Sequence, residues 1–368
     1  MLFKDMGIIA PLLKAIHKKG YEECTDIQMR SIPIILKGND LIGCAQTGTG
    51  KTAAFGIPLL QLLGLEGVRQ IEPRALILVP TRELAIQIGE ALKDFSDVLS
   101  IRQLVIYGGV SQQKQVEVLR KGVDVIIATP GRLLDLYRQG HVNLKKINKL
   151  VLDEADNMLD MGFVHDIRKL LKAIPSGRQS LMFSATMPTQ IRKLANEIMK
   201  SPVEINVSPV SSTVDKISQT VYFVEKKEKV ALLTKFLNLE KDLQTLIFMR
   251  TKHGADKLAK DLSKKGLQVL CIHGNKSQNA RQRALNSFKN REVDVLLATD
   301  IAARGIDISE LPRVINFDLP EDSETYVHRI GRTGRAGKVG KALSFCSTEE
   351  KPLLLKIQKL IGFQLKVG

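Results

Sequence analysis

Short apolar runs rich in β-branched residues alternate along this chain with longer stretches whose apolar residues recur at helical spacing. In the first half, the runs predict six strands, at Asp40–Cys44, Ala75–Val79, Leu104–Tyr107, Val123–Ala128, Leu150–Leu152 and Leu181–Phe183. Between them, Glu83–Phe95 and Ser111–Lys121 have the apolar periodicity of helices. This alternation predicts an α/β fold in which helices cover both faces of a mostly parallel sheet.

The alternation stops near Ser201–Lys216 and then begins again. Residues 208–213 are small, polar and include a proline, a composition typical of an interdomain linker. The second half predicts six further strands, at Thr220–Val224, Thr245–Met249, Val269–Ile272, Val293–Ala298, Val314–Phe317 and Ala342–Phe345, and a helix at Leu353–Phe363. We therefore predict two tandem α/β domains, at 1–208 and 217–368, joined by a linker at 209–216 and separated by a cleft.

Composition and charge narrow the class of protein. With 368 residues, of which 44% are hydrophobic and 26% charged, the chain has the composition of a globular protein of two ordinary domains. No apolar run is long enough to cross a bilayer and the first residues do not resemble a signal peptide, so we expect a cytoplasmic protein without membrane contact. The oligomeric state cannot be read from the sequence, and a monomer is the default expectation. The four cysteines, at Cys24, Cys44, Cys271 and Cys346, are too scattered to suggest a zinc site or disulfides.

The chain is strongly basic. It has 55 lysines and arginines against 39 acidic residues, a formal charge of +16. Such an excess favours a polyanionic partner such as a nucleic acid, although a merely basic surface would have the same composition.

Residues 45–52 have the sequence AQTGTGKT, between a predicted strand and a helical stretch. This is the context of a phosphate-binding loop, in which glycines let backbone N–H groups approach phosphate oxygens and the helix N-terminus adds positive partial charge. Lys51 is expected to contact the β- and γ-phosphates and Thr52 to hold Mg²⁺. The expected nucleotide contacts are Ala45, which stands where the pattern usually has glycine, Gln46, Thr47, Gly48, Thr49, Gly50, Lys51 and Thr52.

The strand predicted at Leu150–Leu152 ends in Asp153-Glu154-Ala155-Asp156. Ligands of α/β sheets bind at the carboxyl ends of the strands, so these acids are candidates for catalysis. Asp153 would hold the Mg²⁺ hydration shell, and Glu154 would polarise the attacking water. On its own an acidic strand end is equally consistent with a solvated cap, but the phosphate-binding loop upstream favours a nucleoside triphosphatase.

Residues 153–156 are also the signature of the DEAD-box RNA helicases, and the chain resembles that family from near its first residue to near its last. The resemblance implies two tandem RecA-like domains and an enzyme that hydrolyses ATP and remodels RNA. Residues 20–28, GYEECTDIQ, resemble the family's adenine-reading Q motif, with Cys24 and Asp26 at positions where the family usually has proline. There Gln28 would pair with the adenine edge, which implies ATP as the nucleotide.

The same resemblance implies further contacts in the first domain. Upstream of the Q motif, Phe3 would stack on the adenine base, and Tyr21 and Thr25 would also bind the nucleotide. Segments at 80–85, 108–109 and 129–132 resemble RNA-backbone motifs, whose expected contact residues are Thr81, Arg82, Gly109, Thr129 and Arg132. Ser184-Ala185-Thr186 resembles the motif that couples the state of the nucleotide to domain closure, with Ser184 and Thr186 as its coupling residues.

The second domain would supply groups across the cleft. Residues 326–337 contain three arginines and no acid. By resemblance, Arg332 and Arg335 are expected to act as arginine fingers on the γ-phosphate, where developing charge needs a fixed cation. His328 and Arg329 would tie the interdomain network together.

Residues 298–307 resemble the family's fifth motif. In it Asp307 would bind the ribose, Thr299 would contact the RNA backbone, and Arg304 with Gly305 would link the two sites. Residues 247–252 and 273–281 resemble RNA-facing segments, with Arg250 and Gly274 as the expected contacts; Asn275 stands where the family often has aspartate.

The resemblance implies a cycle in which ATP closes the two domains, closure holds one RNA strand by its backbone, and hydrolysis reopens the cleft. Two alternatives remain open from the sequence. One is a helicase-type translocase that acts on DNA. The other is a non-catalytic RNA clamp on a degenerate ATPase fold.

Overall fold

The computed structural model divides the chain into two compact units, Met1–Ser208 and Pro209–Gly368. It describes residues 1–46, 48–67, 71–207, 217–240, 242–303, 308, 310–334 and 340–368. The predicted linker at 209–216 lies outside the described residues. None of the helices in those ranges is both long and apolar enough to cross a membrane.

The first unit is built on one parallel sheet with helices between successive strands. After a 3₁₀ helix at Phe3–Met6, its helices are α1 (Ala10–Lys18), α2 (Asp26–Leu36), α3 (Lys51–Leu65), α4 (Arg82–Val98), α5 (Gln113–Arg120), α6 (Pro130–Arg138), α7 (Ala155–Asp160), α8 (Val164–Leu171) and α9 (Thr189–Ile198). Its strands are β1 (Leu41–Cys44), β2 (Ala75–Leu78), β3 (Gln103–Ile106), β4 (Val125–Ala128), β5 (Lys149–Leu152), β6 (Gln179–Ser184) and β7 (Val203–Asn206).

The strands of the first unit lie in the order β3-β4-β2-β5-β6-β1-β7 and pair in parallel. Because side chains alternate across a strand, neighbouring residues enter different cores. Ile77 on β2 belongs to one apolar cluster, together with residues of α1 to α4, whereas Leu76 and Leu78 belong to the cluster on the opposite face. Strands β2, β4 and β6 are therefore buried on both faces, which explains their continuous apolar runs.

The second unit repeats this architecture. Its helices are α10 (Lys229–Leu239), α11 (Lys252–Ser263), α12 (Gln278–Lys289), α13 (Asp300–Ala303), α14 (Ser323–Ile330) and α15 (Lys351–Ile361), with a 3₁₀ helix at Thr348–Glu350. Its strands are β8 (Ile217–Phe223), β9 (Thr245–Met249), β10 (Val269–Ile272), β11 (Val295–Thr299), β12 (Arg313–Asn316), β13 (Gly340–Cys346) and β14 (Lys366–Val367). They lie in the order β10-β11-β9-β12-β13-β8-β14, again in parallel.

The predicted fold class is confirmed, and each of the twelve predicted strands overlaps a strand of the structure. The sequence reading missed two strands at the sheet edges. Strand β7 falls within the stretch at Ser201–Lys216 where we expected the pattern to stop; three of its four residues are exposed, so it lacks an apolar run. Strand β14 has only two residues, both exposed, and is defined by its pairing with β8.

Candidate nucleotide and RNA sites

The phosphate-binding loop connects β1 to α3 in the first unit. Gly50 has φ +91°, a backbone conformation that favours glycine, and a Cβ there would lie 2.4 Å from Nε2 of Gln28 and displace that side chain. The Lys51 ammonium is buried and donates to the Ala45 carbonyl oxygen at 2.8 Å. The Thr49 hydroxyl donates to the Gln46 carbonyl oxygen at 2.8 Å. These two hydrogen bonds stabilise the loop and hold the Lys51 side chain against the loop backbone.

Gln28 joins the Q motif to this loop. Its side-chain oxygen accepts from the backbone N–H of Thr25 at 3.0 Å, as part of the capping box that begins α2. Its side-chain nitrogen donates to the Gly50 carbonyl oxygen at 3.2 Å. Gln28 therefore connects the start of α2 directly to the phosphate-binding loop. Its predicted contact with adenine stays a prediction.

The aromatic residues near the Q motif form a pair. The rings of Phe3 and Tyr21 stack with centroids 6.4 Å apart. Phe3 is only 3% exposed and belongs to the apolar core, whereas Tyr21 is 41% exposed. The stacking of Phe3 on a base, expected from the resemblance, would require Phe3 to show a face that is covered in this structure.

Two buried carboxylates follow β5. Asp153 is 3% exposed and its Oδ1 accepts from the backbone N–H of Glu154 at 3.0 Å. Burial raises the pKa of Asp153 to about 7; the positive charge of Lys51 opposes this rise, and the charge of Glu154 adds to it. Glu154 is 4% exposed and has left-handed backbone angles, φ 52° and ψ 51°, at the start of α7. Such a strained conformation in a non-glycine residue is typical of functional sites.

Asp156 connects the acidic segment to β6. Its Oδ2 accepts from the backbone N–H groups of Ala185 and Thr186, at 3.1 and 2.9 Å, and from the Thr186 hydroxyl at 3.1 Å. Its own N–H donates to the Ser184 hydroxyl at 3.2 Å. Since the Ala45 N–H donates to the Ser184 carbonyl oxygen at 3.0 Å, this network also reaches the phosphate-binding loop. The predicted coupling residues Ser184 and Thr186 therefore lie between the loop and the acids.

A second cluster lies at the ends of β2, β3 and β4. Gly109 has φ +79°, and a Cβ there would lie 2.0 Å from Nη1 of Arg82, so glycine is needed for the arginine to lie against this loop. Both terminal nitrogens of Arg132 donate to the Val110 carbonyl oxygen at 3.2 Å. Thr129 is buried at the start of α6. The structure thus brings the predicted RNA contacts Arg82, Gly109, Thr129 and Arg132 together.

Thr81 lies between strand β2 and helix α4, directly before Arg82. Its hydroxyl caps α4 by accepting from the Leu84 N–H at 3.3 Å, and the residue is 5% exposed. Thr81 is thus close to the predicted RNA contacts, but its hydroxyl is already used to cap α4.

Arg329 occupies the centre of a buried network in the second unit. It is bidentate on Asp300, with Nε–Oδ1 and Nη2–Oδ2 distances of 2.5 and 2.7 Å. Its Nη1 donates to Asn316 Oδ1 at 3.0 Å and to the Asp318 carbonyl oxygen at 2.7 Å, and the guanidinium lies 5.0 Å from the centre of the Phe248 ring. These contacts all lie within the second unit, and the interdomain role that the resemblance implies for Arg329 stays a prediction.

Three other predicted residues of this unit, His328, Arg332 and Thr299, lie close to that network. His328 and Arg332 line a small pocket together with Arg329 and Asp300. Thr299 ends β11, directly before Asp300. Thr47, Arg304, Gly305, Asp307 and Arg335 lie outside the described residues.

Arg250 follows β9 and is held by an acid that the sequence reading did not single out. Its Nη2 donates to Glu350 Oε1 at 2.9 Å, and its side chain is 40% exposed. Gly274 is exposed, and a Cβ there would meet no heavy atom within 4 Å. Beside it, Asp256 Oδ1 lies 3.1 Å from His273 Nε2 and 2.8 Å from the Lys276 ammonium, which holds this loop against α11.

Four residues of these sites had no function predicted from the sequence: Asp156, Asn157, Asp300 and Glu350. The contacts of Asp156 depend on the neighbouring strand β6, and Asp300 lies far along the chain from its partner Arg329. Glu350 lies far along the chain from its partners Arg250 and Lys229. Local sequence offered a signal only for Asn157, which immediately follows the acidic segment.

The sheet order explains how these residues meet. In a parallel sheet the carboxyl ends of all strands lie at one edge. Along that edge of the first unit, neighbouring strands β5, β6 and β1 carry the acids, the Ser184–Thr186 segment and the phosphate-binding loop, while β3, β4 and β2 carry the arginine cluster. Fold and site together define a nucleoside triphosphatase with a phosphate-binding loop and a second basic site on the same sheet edge.

Comparison with known proteins specifies the class further. Residues 25–194 match the DEAD/DEAH box helicase family, and residues 228–337 match the helicase conserved C-terminal domain. The DEAD-box ATP-dependent RNA helicase CshA of Geobacillus kaustophilus is 44% identical over 97% of this chain and 76% of its own length. The chain belongs to the DEAD-box ATP-dependent RNA helicases, enzymes that hydrolyse ATP.

Solved structures agree with this assignment. S. cerevisiae Dbp5 bound to RNA and ADP BeF3 matches 100% of this chain and 95% of its own, with 33% identity and a TM-score of 0.89. Mss116p bound to ssRNA and AMP-PNP matches 99% of this chain and 78% of its own, with 30% identity and a TM-score of 0.88. The two RecA-like units expected from the resemblance are thereby confirmed.

Proposed function

We propose that the first unit binds ATP between the phosphate-binding loop and the acids after β5, and binds the RNA backbone at the arginine cluster beside them. The main support for this proposal is that the ATP-side residues and the arginine cluster lie along the same edge of the sheet, at the carboxyl ends of its strands. On the ATP side, Asp156 connects the acidic segment after β5 to residues 184–186 through four hydrogen bonds. The basic residues Arg82 and Arg132 lie at the ends of the adjacent strands.

The residues present fit Mg²⁺. This ion prefers hard oxygen donors, which the Thr52 hydroxyl and the Asp153 carboxylate are. Asp153 is a buried carboxylate whose pKa burial raises to about 7, so a nearby cation would stabilise its ionised form. When bound, Mg²⁺ would neutralise charge on the β- and γ-phosphate oxygens. Lys51 would add a fixed positive charge on the same side.

Glu154 is the residue that we assign to the attacking water. The water oxygen forms a bond to the γ-phosphorus while the bond from that phosphorus to the β,γ-bridging oxygen breaks, so the products are ADP and inorganic phosphate. Glu154 accepts a hydrogen bond from this water, takes up its proton and then releases it to solvent. Its burial excludes competing water from the carboxylate.

The second unit would contribute Arg332 and Arg335 to the developing charge on the γ-phosphate, so that hydrolysis depends on closure of the two units. Arg329, which is 2% exposed, would act indirectly through its bonds to Asp300, by keeping in place the end of α14, just before Arg332. RNA would bind mainly through its sugar–phosphate backbone, with contributions from Thr299, Gly274 and the exposed part of Arg250.

ATP turnover with and without RNA tests this proposal. Lys51→Ala should abolish turnover, and Glu154→Gln should keep ATP and RNA binding while slowing hydrolysis by about 100-fold or more. Lys4→Ala, an exposed lysine distant in sequence from the loop, serves as a matched control. Wild-type turnover in either site variant would refute the assignment of that residue.

Single-stranded RNA and DNA of equal length and sequence should be compared as activators. Stimulation by RNA that DNA does not match supports the RNA proposal, and equal stimulation supports a DNA-acting translocase. RNA binding without any phosphate release would instead support a clamp. The affinity for RNA should fall steeply as salt is added, because backbone contacts release counterions.

A further inference from the structure

Glu154 has a hydrogen-bond partner outside the acidic signature. Its Oε2 accepts from the side-chain nitrogen of Asn157 at 2.9 Å. The two side chains lie one turn apart at the start of α7, where residues three apart face the same side of a helix. Glu154 and Asn157 are 4% and 8% exposed, so water hardly competes for this bond.

Asn157 is itself held in place. Its backbone N–H donates to Asp156 Oδ1 at 3.0 Å, and its carbonyl oxygen accepts from the Met161 N–H at 3.1 Å. The orientation of its amide follows from chemistry: an ionised carboxylate only accepts hydrogen bonds, so the NH₂ group of Asn157 must face Glu154. Asn157 therefore presents a fixed donor to one oxygen of that carboxylate.

Such a donor matters because in-line attack requires the Glu154 carboxylate to hold the water in one position. A glutamate side chain has several rotatable bonds, so a fixed donor removes orientations that would not hold that water. With Oε2 bound by Asn157, the other oxygen, Oε1, is left to accept from the attacking water. A neutral donor fulfils this function without repelling or neutralising the carboxylate.

We propose that Asn157 is a positioning residue for ATP hydrolysis, which fixes the Glu154 carboxylate so that Oε1 faces the attacking water. This inference rests on the proposed function of Glu154. We expect no contact of Asn157 with the nucleotide or the RNA, so its removal should lower kcat and leave KM for ATP nearly unchanged.

A double-mutant cycle under single-turnover conditions, with saturating ATP and RNA, tests the proposal. Asn157→Ala should slow hydrolysis by about tenfold, the effect of losing one hydrogen bond to a charged group. In a Glu154→Gln background the same change should have little further effect, because the group that Asn157 positions is already disabled. A general disturbance of the fold would slow both backgrounds equally.

Two further variants keep the test decisive. Asn157→Asp has nearly the same size but replaces the donor by an acceptor, and should be at least as slow as Asn157→Ala; it serves if the alanine variant does not fold. Asn143→Ala is a matched control, because the Asn143 amide also donates to a glutamate, Glu72, at 3.4 Å, but on the exposed surface. It should hydrolyse ATP at the wild-type rate.

The outcomes distinguish a failure of the proposed function of Glu154 from a failure of the positioning function of Asn157. If Glu154→Gln hydrolyses ATP normally, the proposed function of Glu154 fails. If Glu154→Gln is slow but Asn157→Ala and Asn157→Asp both hydrolyse within about twofold of wild type, well below the effect of one charged hydrogen bond, the positioning inference is wrong. It is also wrong if Asn157→Ala slows the Glu154→Gln background as much as it slows the wild type.

Discussion

Glu350 is the centre of a buried ionic cluster in the second unit, and its replacement by glutamine is a sharp test of what stabilises that unit. The carboxylate is 6% exposed. Its Oε2 accepts from the Lys229 ammonium at 2.6 Å and from the N–H of Ser347 at 3.0 Å; its Oε1 accepts from the N–H of Leu319 at 3.1 Å and from Arg250 at 2.9 Å. One side chain thus joins α10, β9, the segment after β12 and the start of α15.

The expected magnitude follows from the partner that would be left behind. Lys229 is 2% exposed, so after Glu350→Gln it is a buried cation that has lost its closest counter-charge. Removing one partner of a buried pair destabilises by about 3–5 kcal/mol. Lys229 keeps a bond to the Phe317 carbonyl oxygen at 2.7 Å and lies 3.7 Å from Asp318, which places the estimate near the lower end, at about 3 kcal/mol.

The pH dependence has a definite sign. Burial by itself would raise the pKa of Glu350, but the hydrogen bonds from Lys229 and from the backbone of Ser347 and Leu319 outweigh it and hold the pKa below its ordinary value. A carboxyl group with a lowered folded-state pKa contributes stability above its unfolded pKa of about 4.3, and this contribution is lost as the pH falls through the folded value. The difference between wild type and Glu350→Gln should therefore be complete near neutral pH and shrink in acid.

Amide hydrogen exchange followed by mass spectrometry is the suitable assay, because it reports on each unit of the full chain separately. Peptides from α10 and β12 should lose about 3 kcal/mol of opening free energy in Glu350→Gln, and peptides from the first unit should be unchanged. Glu349→Gln, an exposed neighbour, is the control. Adding Lys229→Met should restore part of the loss. A decrease below about 1 kcal/mol would show that the ion pair contributes no more than a surface pair does, and would refute this reasoning.

Three further changes test the sites of the first unit. Asp156→Asn should lower RNA-stimulated turnover by about tenfold with ATP affinity kept, because three charge-assisted hydrogen bonds to 185–186 become neutral ones; turnover and binding measured in parallel check this. Gln28→Ala should reduce the preference for ATP over GTP and weaken ATP binding through the lost bond to Gly50, and an unchanged preference would count against the Q-motif assignment. Arg132→Ala should weaken RNA binding and reduce its salt dependence by about one charge equivalent in a salt titration, whereas an unaltered slope would exclude a phosphate contact.

Much of the fold could be predicted from local pattern. Strands buried on both faces appear as continuous apolar runs, so β2, β4 and β9 were predicted to within a residue or two. The two edge strands β7 and β14 could not be predicted in this way, because an exposed strand has no such run and is defined by its neighbour. The positions of Lys51 in its glycine-rich loop and of the acids after β5 could likewise be predicted, because they depend only on neighbours in the chain.

The sequence by itself therefore determined the class of protein, the two α/β units and which residues stand at each strand end, since these depend on residues within a few positions of one another. Only the tertiary structure decided how those ends combine. The strand order places β6 between β5 and β1. Asp156 can therefore form hydrogen bonds to the segment at the end of β6, which is distant from it in sequence. It likewise brings Glu350 to Lys229 across 121 positions of the chain. The physical reason is that hydrogen bonds and ion pairs act over a few ångströms of space, and a one-dimensional pattern does not contain that distance.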